Sequence, residues 1–305
     1  MRFFKTPNID FIGKRYYAFA ISIILFAIGI GALAVKGGPN YGIDFTGGIL
    51  IQASFDKEIS LNEVRTGLSK DKDLVYELQT VGKDGIIVRV KTTTKTQEEM
   101  TGEILTLLKT QFPNQEIVID RTEYVGPAVG KHLSKQASYA FFFAFLGIII
   151  YVAFRFKSGL WGISGVIAII HDVFVVFGIM VFLNKEVDLT LIAALLTIAG
   201  YSINDTIVLF DRVRENLRLL SKEGFGSIIN KSINEVLGRT IITSATVFIV
   251  SLILWIMGGE VIADFALAML IGTFIGVYSS IFVVAPLIFE WEKRKRDRFK
   301  KTFNK

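Results

Sequence analysis

Cysteine is missing altogether from the 305 residues, and histidine nearly so, at 2. The first absence excludes a disulfide framework, a thiolate metal site and a cysteine nucleophile, and it leaves redox compartment without a marker. Charge is scarce as well: 20% of residues are Asp, Glu, Lys or Arg against 51% hydrophobic, with a mean hydropathy of +0.50. That balance excludes an ordinary soluble domain. There is no P-loop, and the one large polar segment lacks a carboxylate pair, a metal cluster and a nucleophile with its base, so neither an enzyme nor a cofactor is expected.

What is present is mostly apolar. A window of about 19 residues marks six runs, Ala18–Val35, Ala137–Phe154, Leu160–Leu183, Leu189–Phe210, Thr240–Met257 and Asp264–Phe289. Each is near the roughly 20 residues that carry a helix across a bilayer. Six crossings leave both termini on one face, and Lys and Arg choose it. Arg2, Lys5, Lys14 and Arg15 precede the first run, and Arg155 and Lys157 join the second to the third. Arg212, Arg214, Arg218, Lys222, Lys231 and Arg239 lie between the fourth and fifth, and the tail WEKRKRDRFKK is densely basic. By the positive-inside rule all of these are cytoplasmic, so the formal charge of +6 records topology and does not call for nucleic acid.

The organisation expected is a cytoplasmic tail over 1–17, a first helix over 18–35, an extracytoplasmic domain over 36–136, five further helices over 137–289 and a basic cytoplasmic tail over 290–305. In the connection 211–238, Leu217, Leu220, Phe225, Ile228, Ile229, Ile233, Val236 and Leu237 recur at helical spacing among charges. This predicts an amphipathic helix on the cytoplasmic membrane surface, with Asp211 and Arg212 as interfacial anchors. The basic start and the Ala32-Leu33-Ala34 triplet imitate a cleavable signal peptide with a mature start at Val35. The apolar core exceeds the roughly 7 to 15 residues of such a signal, so an uncleaved anchor is expected.

The polar segment of about 100 residues after the first run alternates strand and helix patterns. Gly48–Phe55 reads as a strand, Ser60–Lys70 as a helix with Ser60 and Glu63 as its capping box, and Leu74–Val81 as a second strand. Lys83-Asp84-Gly85 is a hairpin turn into Ile86–Lys91, Thr96–Phe112 is a second helix, and Glu116–Tyr124 closes the set. The order β-α-β-β-α-β is the split βαβ, ferredoxin-like arrangement. The fold class is therefore an α-helical multi-pass membrane protein with six transmembrane helices and one α+β ferredoxin-like extracytoplasmic domain.

Within the fourth run, in GYSINDTIVLFDRVREN, stands Asp205. A charge at the bilayer centre costs at least about 2.5 to 3.5 kcal/mol, so an intramembrane acid marks an ion or proton path. Asp205 shares a helical face with Ser202, Leu209 and Ile198, and Asn204 is its neighbour in sequence. On the fifth run Arg239, Thr243 and Thr246 repeat at four and three. Two such polar stripes suit one another. An acid that gains and loses an Arg neighbour changes its hold on a proton, which makes Asp205 the carrier and Arg239 its switchable counter-charge. Against this stands a plain interhelical pair, or an Arg239 that snorkels to headgroups.

His171 and Asp172 in the third run form a second polar pair and a possible proton relay. Adjacent helical residues point about 100° apart, so the two do not face one site equally, and one of them bonded to a neighbouring helix is the other reading. Asp44, Gly47 and Gly48 at one junction of the polar segment, and Gly126 and Pro127 at the other, suit either a coupling hinge or a plain turn and helix start. Gly272 and Gly276 fit close packing of the sixth helix, here or against a partner.

YGIDFTGG after the first run, GYSINDTIVLFDRVREN in the fourth, LGRTIITSATVF opening the fifth and IGTFIGVYSSIFVVAPLIFEWEKR through the sixth together resemble the SecF family, the smaller membrane subunits of the SecD/SecF protein-export complex. The motifs fall in that family's order over nearly the whole chain. The resemblance implies a six-helix half of a resistance-nodulation-division type fold that pairs with SecD beside the SecYEG channel, with YajC and YidC as further companions. It also implies use of a proton or sodium gradient to assist preproteins, an intramembrane Asp and Arg at Asp205 and Arg239, and residence in the bacterial inner membrane. Two other classes stay open: a half-size exporter of small hydrophobic compounds, and a structural subunit that conducts nothing.

Overall fold

The computed structural model describes residues 7–69, 76–90, 95–156, 159–220 and 222–303. They form two compact units, residues 41–139 and residues 1–40 with 140–305.

The first unit opens with the short helix α2 (Ile43–Thr46) and then runs β1 (Gly48–Phe55), α3 (Leu61–Leu68), β2 (Tyr76–Val81), β3 (Gly85–Val90), α4 (Gln97–Gln111) and β4 (Ile117–Val125). Its strands are all antiparallel in the order β2-β3-β1-β4, which is the split βαβ arrangement that the alternation predicts. The expected ends at Lys70, Leu74 and Lys91 lie outside the described residues, as do Arg2, Lys5 and Lys157 of the basic set. Period-2 patterning sends Ile49, Ile51 and Ala53 of β1 and Ile86, Val88 and Val90 of β3 to the face covered by the helices, where they meet Val64 and Leu68 of α3 and Ile104 and Leu108 of α4. The hairpin turn is Gly82-Lys83-Asp84, with Gly82 at φ 62° and Val81 paired to Gly85.

The capping box falls elsewhere than expected. Ser60 makes no side-chain cap to α3, whose first turn is closed by backbone bonds alone. Thr96 makes one at α4: its hydroxyl accepts from Glu99 N at 3.3 Å while Glu99 accepts from Thr96 N at 2.8 Å. Both sites carry the Ser/Thr-x-x-Glu spacing, and side-chain rotamers, not spacing, decide which closes. Bonding to the Thr96 amide and hydroxyl holds the Glu99 carboxyl below its ordinary range.

Among the described residues, six helices are long and apolar enough to cross a membrane. They are α1 (Arg15–Lys36), α5 (Pro127–Arg155), α6 (Gly159–Phe182), α7 (Leu189–Leu219), α8 (Phe225–Met257) and a sixth made of α9 (Glu260–Ser279), a π turn (Ser280–Val284) and α10 (Ala285–Phe303). Within the second unit α6, α7 and α9 pack on one another, α1 lies on α6, and α8 lies on α7 and α9. Gly37 at φ 72° ends α1, with Gly38 N bonded to Leu33 O at 2.9 Å. The last residue of that helix, Lys36, donates to Val181 O (2.7 Å) and Phe182 O (3.2 Å) at the C-terminal end of α6, where a cation is favoured. Asp188 caps α7 through Leu191 N at 2.7 Å. The π turn immediately precedes Pro286, whose missing N–H and ring disfavour a regular α turn there.

No separate amphipathic helix occupies 211–238. Instead α7 continues to Leu219 and α8 begins at Phe225, so the charged stretches are the ends of the two spans. Their charges pair across the gap: Arg212 meets Glu235 at 2.6 Å, besides Glu215 of its own helix at 2.6 Å, and Asn216 donates to Ser232 (3.0 Å) and Glu235 (2.7 Å). Partners on the facing helix make continuing each helix cheaper than laying it on the membrane surface. The apolar residues assigned to a lipid-facing stripe, Ile228, Ile229 and Ile233, are buried in protein. Asp211 is likewise bonded, to Arg155 of α5.

The segment before α1 is held by two asparagines of α8. Asn230 Oδ1 accepts from Phe11 N and Ile12 N at 3.0 and 2.9 Å, and Asn234 bonds both the N–H and the carbonyl of Ile9. Asp10 accepts from Gly13 N at 2.9 Å and from Asn230, and this holds its carboxyl below its ordinary range.

Candidate functional site

Two acids are buried in the helix bundle, and their surroundings differ. Asp172 of α6 is fully buried and saturated. Its Oδ1 lies 2.9 Å from His171 Nδ1, and its Oδ2 accepts from Ser279 Oγ of α9 at 2.7 Å and from Ser202 Oγ of α7. Asp205 of α7 is 6% exposed, and its Oδ2 has no hydrogen-bond partner. Across from it on α8 stands Ser244, which is bonded to Tyr201 Oη at 3.1 Å, and the charge of Arg239 reaches it at longer range.

Ser202 thus serves Asp172, not the Asp205 to which a shared helical face assigns it. Three residues of helix leave about 60° between two side chains. On a helix with neighbours on several sides, that turn is enough to direct Ser202 to α6 and Asp205 to α8. The facing stripe on α8 is also different. Arg239 is exposed, and Thr243 and Thr246 turn their hydroxyls back to carbonyls of their own helix, Arg239 O, Thr240 O and Thr243 O. Asn204, beside Asp205, is exposed. His171 and Asp172 do meet although adjacent, because the imidazole and the carboxylate bend toward one another at their tips.

Spacing around the acids alone missed Ser279, Ser280, Thr206, Tyr278 and Ser244. Thr206 Oγ1 and Ser280 Oγ lie 3.2 Å apart, and Tyr278 donates to Ala18 O at 2.6 Å with Ser22 Oγ 3.1 Å from the same hydroxyl. A signal for the serines did exist: Gly272, Gly276 and Ser279 follow at four and three along one face. That face lies on α7. A Cβ on Gly272 would sit 2.4 Å from Ile198 Cδ1, and one on Gly276 3.6 Å from Ser202 Cβ, so both glycines bring α9 against α7 within this chain. An approach of backbone to backbone, unmarked by any GxxxG, joins α1 to α6, where a Cβ on Gly178 would come 2.6 Å from Gly29 Cα.

In the unit 41–139 the two expected junctions form one joint. Gly47 (φ 69°) and Gly48 (φ 134°) adopt backbone angles that favour glycine, and a Cβ on Gly47 would stand 2.9 Å from Pro127 Cα. Gly130, one turn into α5, leaves room for Gly47 N in the same way. Asp44 lies in the first turn of α2, and Gly126 separates β4 from Pro127 at the start of α5.

Chemically, the bundle offers one acid with an open oxygen beside a hydroxyl and a distant cation, and one acid whose two oxygens are both hydrogen-bonded. Residues 104–294 match the model of the protein export membrane protein SecD/SecF C-terminal family, and residues 31–59 match the SecD/SecF GG motif. The chain is 53% identical over 300 residues to the protein translocase subunit SecF of Endomicrobium trichonymphae, covering 98% of this chain and 96% of that one. It is 44% identical to SecF of Thermodesulfovibrio yellowstonii, over 92% and 94% of the two. The crystal structure of the translocon-associated membrane protein SecDF from Thermus thermophilus superposes with a TM-score of 0.82 at 36% identity, over 94% of this chain and 39% of that one. A SecDF structure in a super-membrane-facing form gives 0.72 at 34% identity, over 99% and 41%. The chain therefore spans about two fifths of the length of those SecDF chains.

Proposed function

The chain belongs to the SecF family of protein translocase subunits, and from that premise we propose that it pairs with a separate SecD and draws on a cation gradient to assist preproteins at the SecYEG channel. Its part in protein export follows from the family; the ion, the site and the partners are the proposal. The relatives in which SecD and SecF share one chain support a one-to-one pairing with SecD. The basic ends support, by the positive-inside rule, a bacterial inner-membrane protein with both termini in the cytoplasm and residues 41–139 on the outer side, where an emerging preprotein is met.

One observation carries the reading: Asp205 Oδ2 is buried in the bundle with no partner, beside Ser244 and within the field of Arg239. A carboxylate with an unfilled oxygen costs several kcal/mol in such a place unless it binds a cation for part of its cycle. A charge moved through about 100 mV supplies about 2.3 kcal/mol, enough to bias a two-state step. Arg239, exposed and without an ion pair to Asp205, acts as the counter-charge when α7 and α8 shift. The glycine joint at Gly47, Gly48, Gly126 and Pro127 is the coupling point.

The test is export of a labelled preprotein in a strain deleted for its own SecF, with the gradient intact and collapsed. Asp205→Asn is expected to co-purify with SecD and to lose the gradient-dependent part of export, while Asp205→Glu retains some of it. Undiminished gradient dependence in the Asn variant ends the proposal. Efflux of small hydrophobic compounds that tracks Asp205 points to an exporter instead.

A further inference from the structure

The second acid carries its own conclusion. Both oxygens of Asp172 are hydrogen-bonded: Oδ1 lies 2.9 Å from His171 Nδ1, and Oδ2 accepts from Ser202 and Ser279. In the tautomer that carries its hydrogen on Nδ1, Oδ1 accepts and the imidazole's remaining nitrogen is Nε2. Nε2 is buried and has no partner. Around the ring are Phe26 of α1, at 5.5 Å between centroids, and Tyr278 of α9, at 6.2 Å. The Tyr278 hydroxyl is spent on Ala18 O and Ser22.

We propose that His171 and Asp172 form a second proton-binding site in the bundle, in which His171 Nε2 takes the proton. A bare imidazole nitrogen accepts a proton directly, whereas a hard cation such as sodium prefers oxygen ligands to an imidazole nitrogen. Loading converts a pair with one net negative charge into a neutral imidazolium–carboxylate pair, with Asp172 unchanged and its serine bonds kept. Few charges face the site. From α1 come Ser22 and Phe26, from α9 Tyr278 and Ser279, and from the π turn Ser280, which faces Thr206. From α7 comes Ser202, with Asp205 about 4.5 Å further along the helix axis. On α10, Glu290 is engaged by Arg15 at 2.6 Å. Asp205 and Tyr278 are thus the titratable neighbours, and Ser202 ties the site to the helix that carries Asp205.

The inference deepens the reading of Asp205 as an ion carrier, but it stands on the geometry of the pair, and its test reads the imidazole and not export. The chain has only two histidines. Nitrogen NMR of the full-length chain, labelled with 15N at histidine in lipid nanodiscs, therefore shows two rings, and His132→Gln identifies the exposed one. Nε2 of His171 is expected to bind a proton reversibly as pH is changed and to ignore exchange of sodium for choline at fixed pH. Asp172→Asn is expected to weaken that binding about tenfold, one opposite charge having been removed. Should that variant not fold, the wild-type titration decides alone. A ring that stays in one state across the titration, that responds to sodium at constant pH, or that titrates unchanged in Asp172→Asn overturns the proposal. Loss of gradient-dependent export in Asp205→Asn can stand or fall independently of all three.

Discussion

The two units are built on opposite rules. The unit 41–139 hides Ile49, Ile51, Ile86, Val88, Ile104 and Leu108 at 0–1% exposure, and among its described charged residues it buries Arg89 alone. The helix bundle exposes Phe142, Phe143, Phe154 and Phe274 and buries Ser164, Asp172, Ser202, Thr206, Ser279 and Ser280. In water, burying methylenes stabilises a fold, whereas in lipid the outside is as apolar as the inside, and helices associate through small residues and hydrogen bonds. The same chain therefore uses bulk to hold one unit together and smallness to hold the other.

If that contrast holds, each unit breaks under a different substitution. The largest effect is expected from Ile104→Ala, about 2–5 kcal/mol of lost stability in the unit 41–139, read as faster hydrogen exchange of β1 and β3 in the full chain. In the bundle the damaging change is enlargement. Gly178→Val brings a side chain against Gly29 Cα, where a Cβ already stands at 2.6 Å, and is expected to cost about 3 kcal/mol, seen as a lower melting temperature in detergent. Gly47→Ala combines φ 69° with a clash at Pro127 Cα and is expected to cost about 1–3 kcal/mol, read as exchange at the start of α5.

Thr96→Ala removes the cap of α4 for about 1 kcal/mol, and this effect depends on pH. The Glu99 carboxyl titrates lower folded than its ordinary 4.5, so its contribution is present above about pH 4.5 and is lost as pH falls through the folded value. The difference between wild type and Thr96→Ala, followed by exchange of the α4 amides, is expected to shrink in acid. The smallest effect belongs to Phe154→Ala, a side chain 91% exposed, which is expected to change stability by less than about 0.5 kcal/mol. A large effect there would mean that the outward aromatics of α5 meet protein and not lipid.

Most of the architecture was legible beforehand for a physical reason. A bilayer demands long apolar runs, and a two-layer α/β domain demands period 2 in its strands and period 3.6 in its helices, and both are local properties of a chain. Ends were less legible: spacing alone placed the capping box at Ser60 when it forms at Thr96, and charge placed an interfacial helix where α7 and α8 simply continue. The candidate site was legible by residue type but not by partnership. Asp205, His171, Asp172 and Ser202 were identifiable as polar groups in apolar helices, but Ser279 and Ser244 were not, because they come from helices distant in sequence.

Composition and periodicity by themselves determined that this is a six-span membrane chain with a split βαβ domain and acids inside its bundle, since those follow from what lipid and water each accept. Only the tertiary structure decided which acid is saturated and which has an open oxygen. Rotating α7 by the roughly 60° that separates Ser202 from Asp205 would exchange their neighbours, and that rotation is set by how Gly272 and Gly276 seat α9, not by the order of residues along α7.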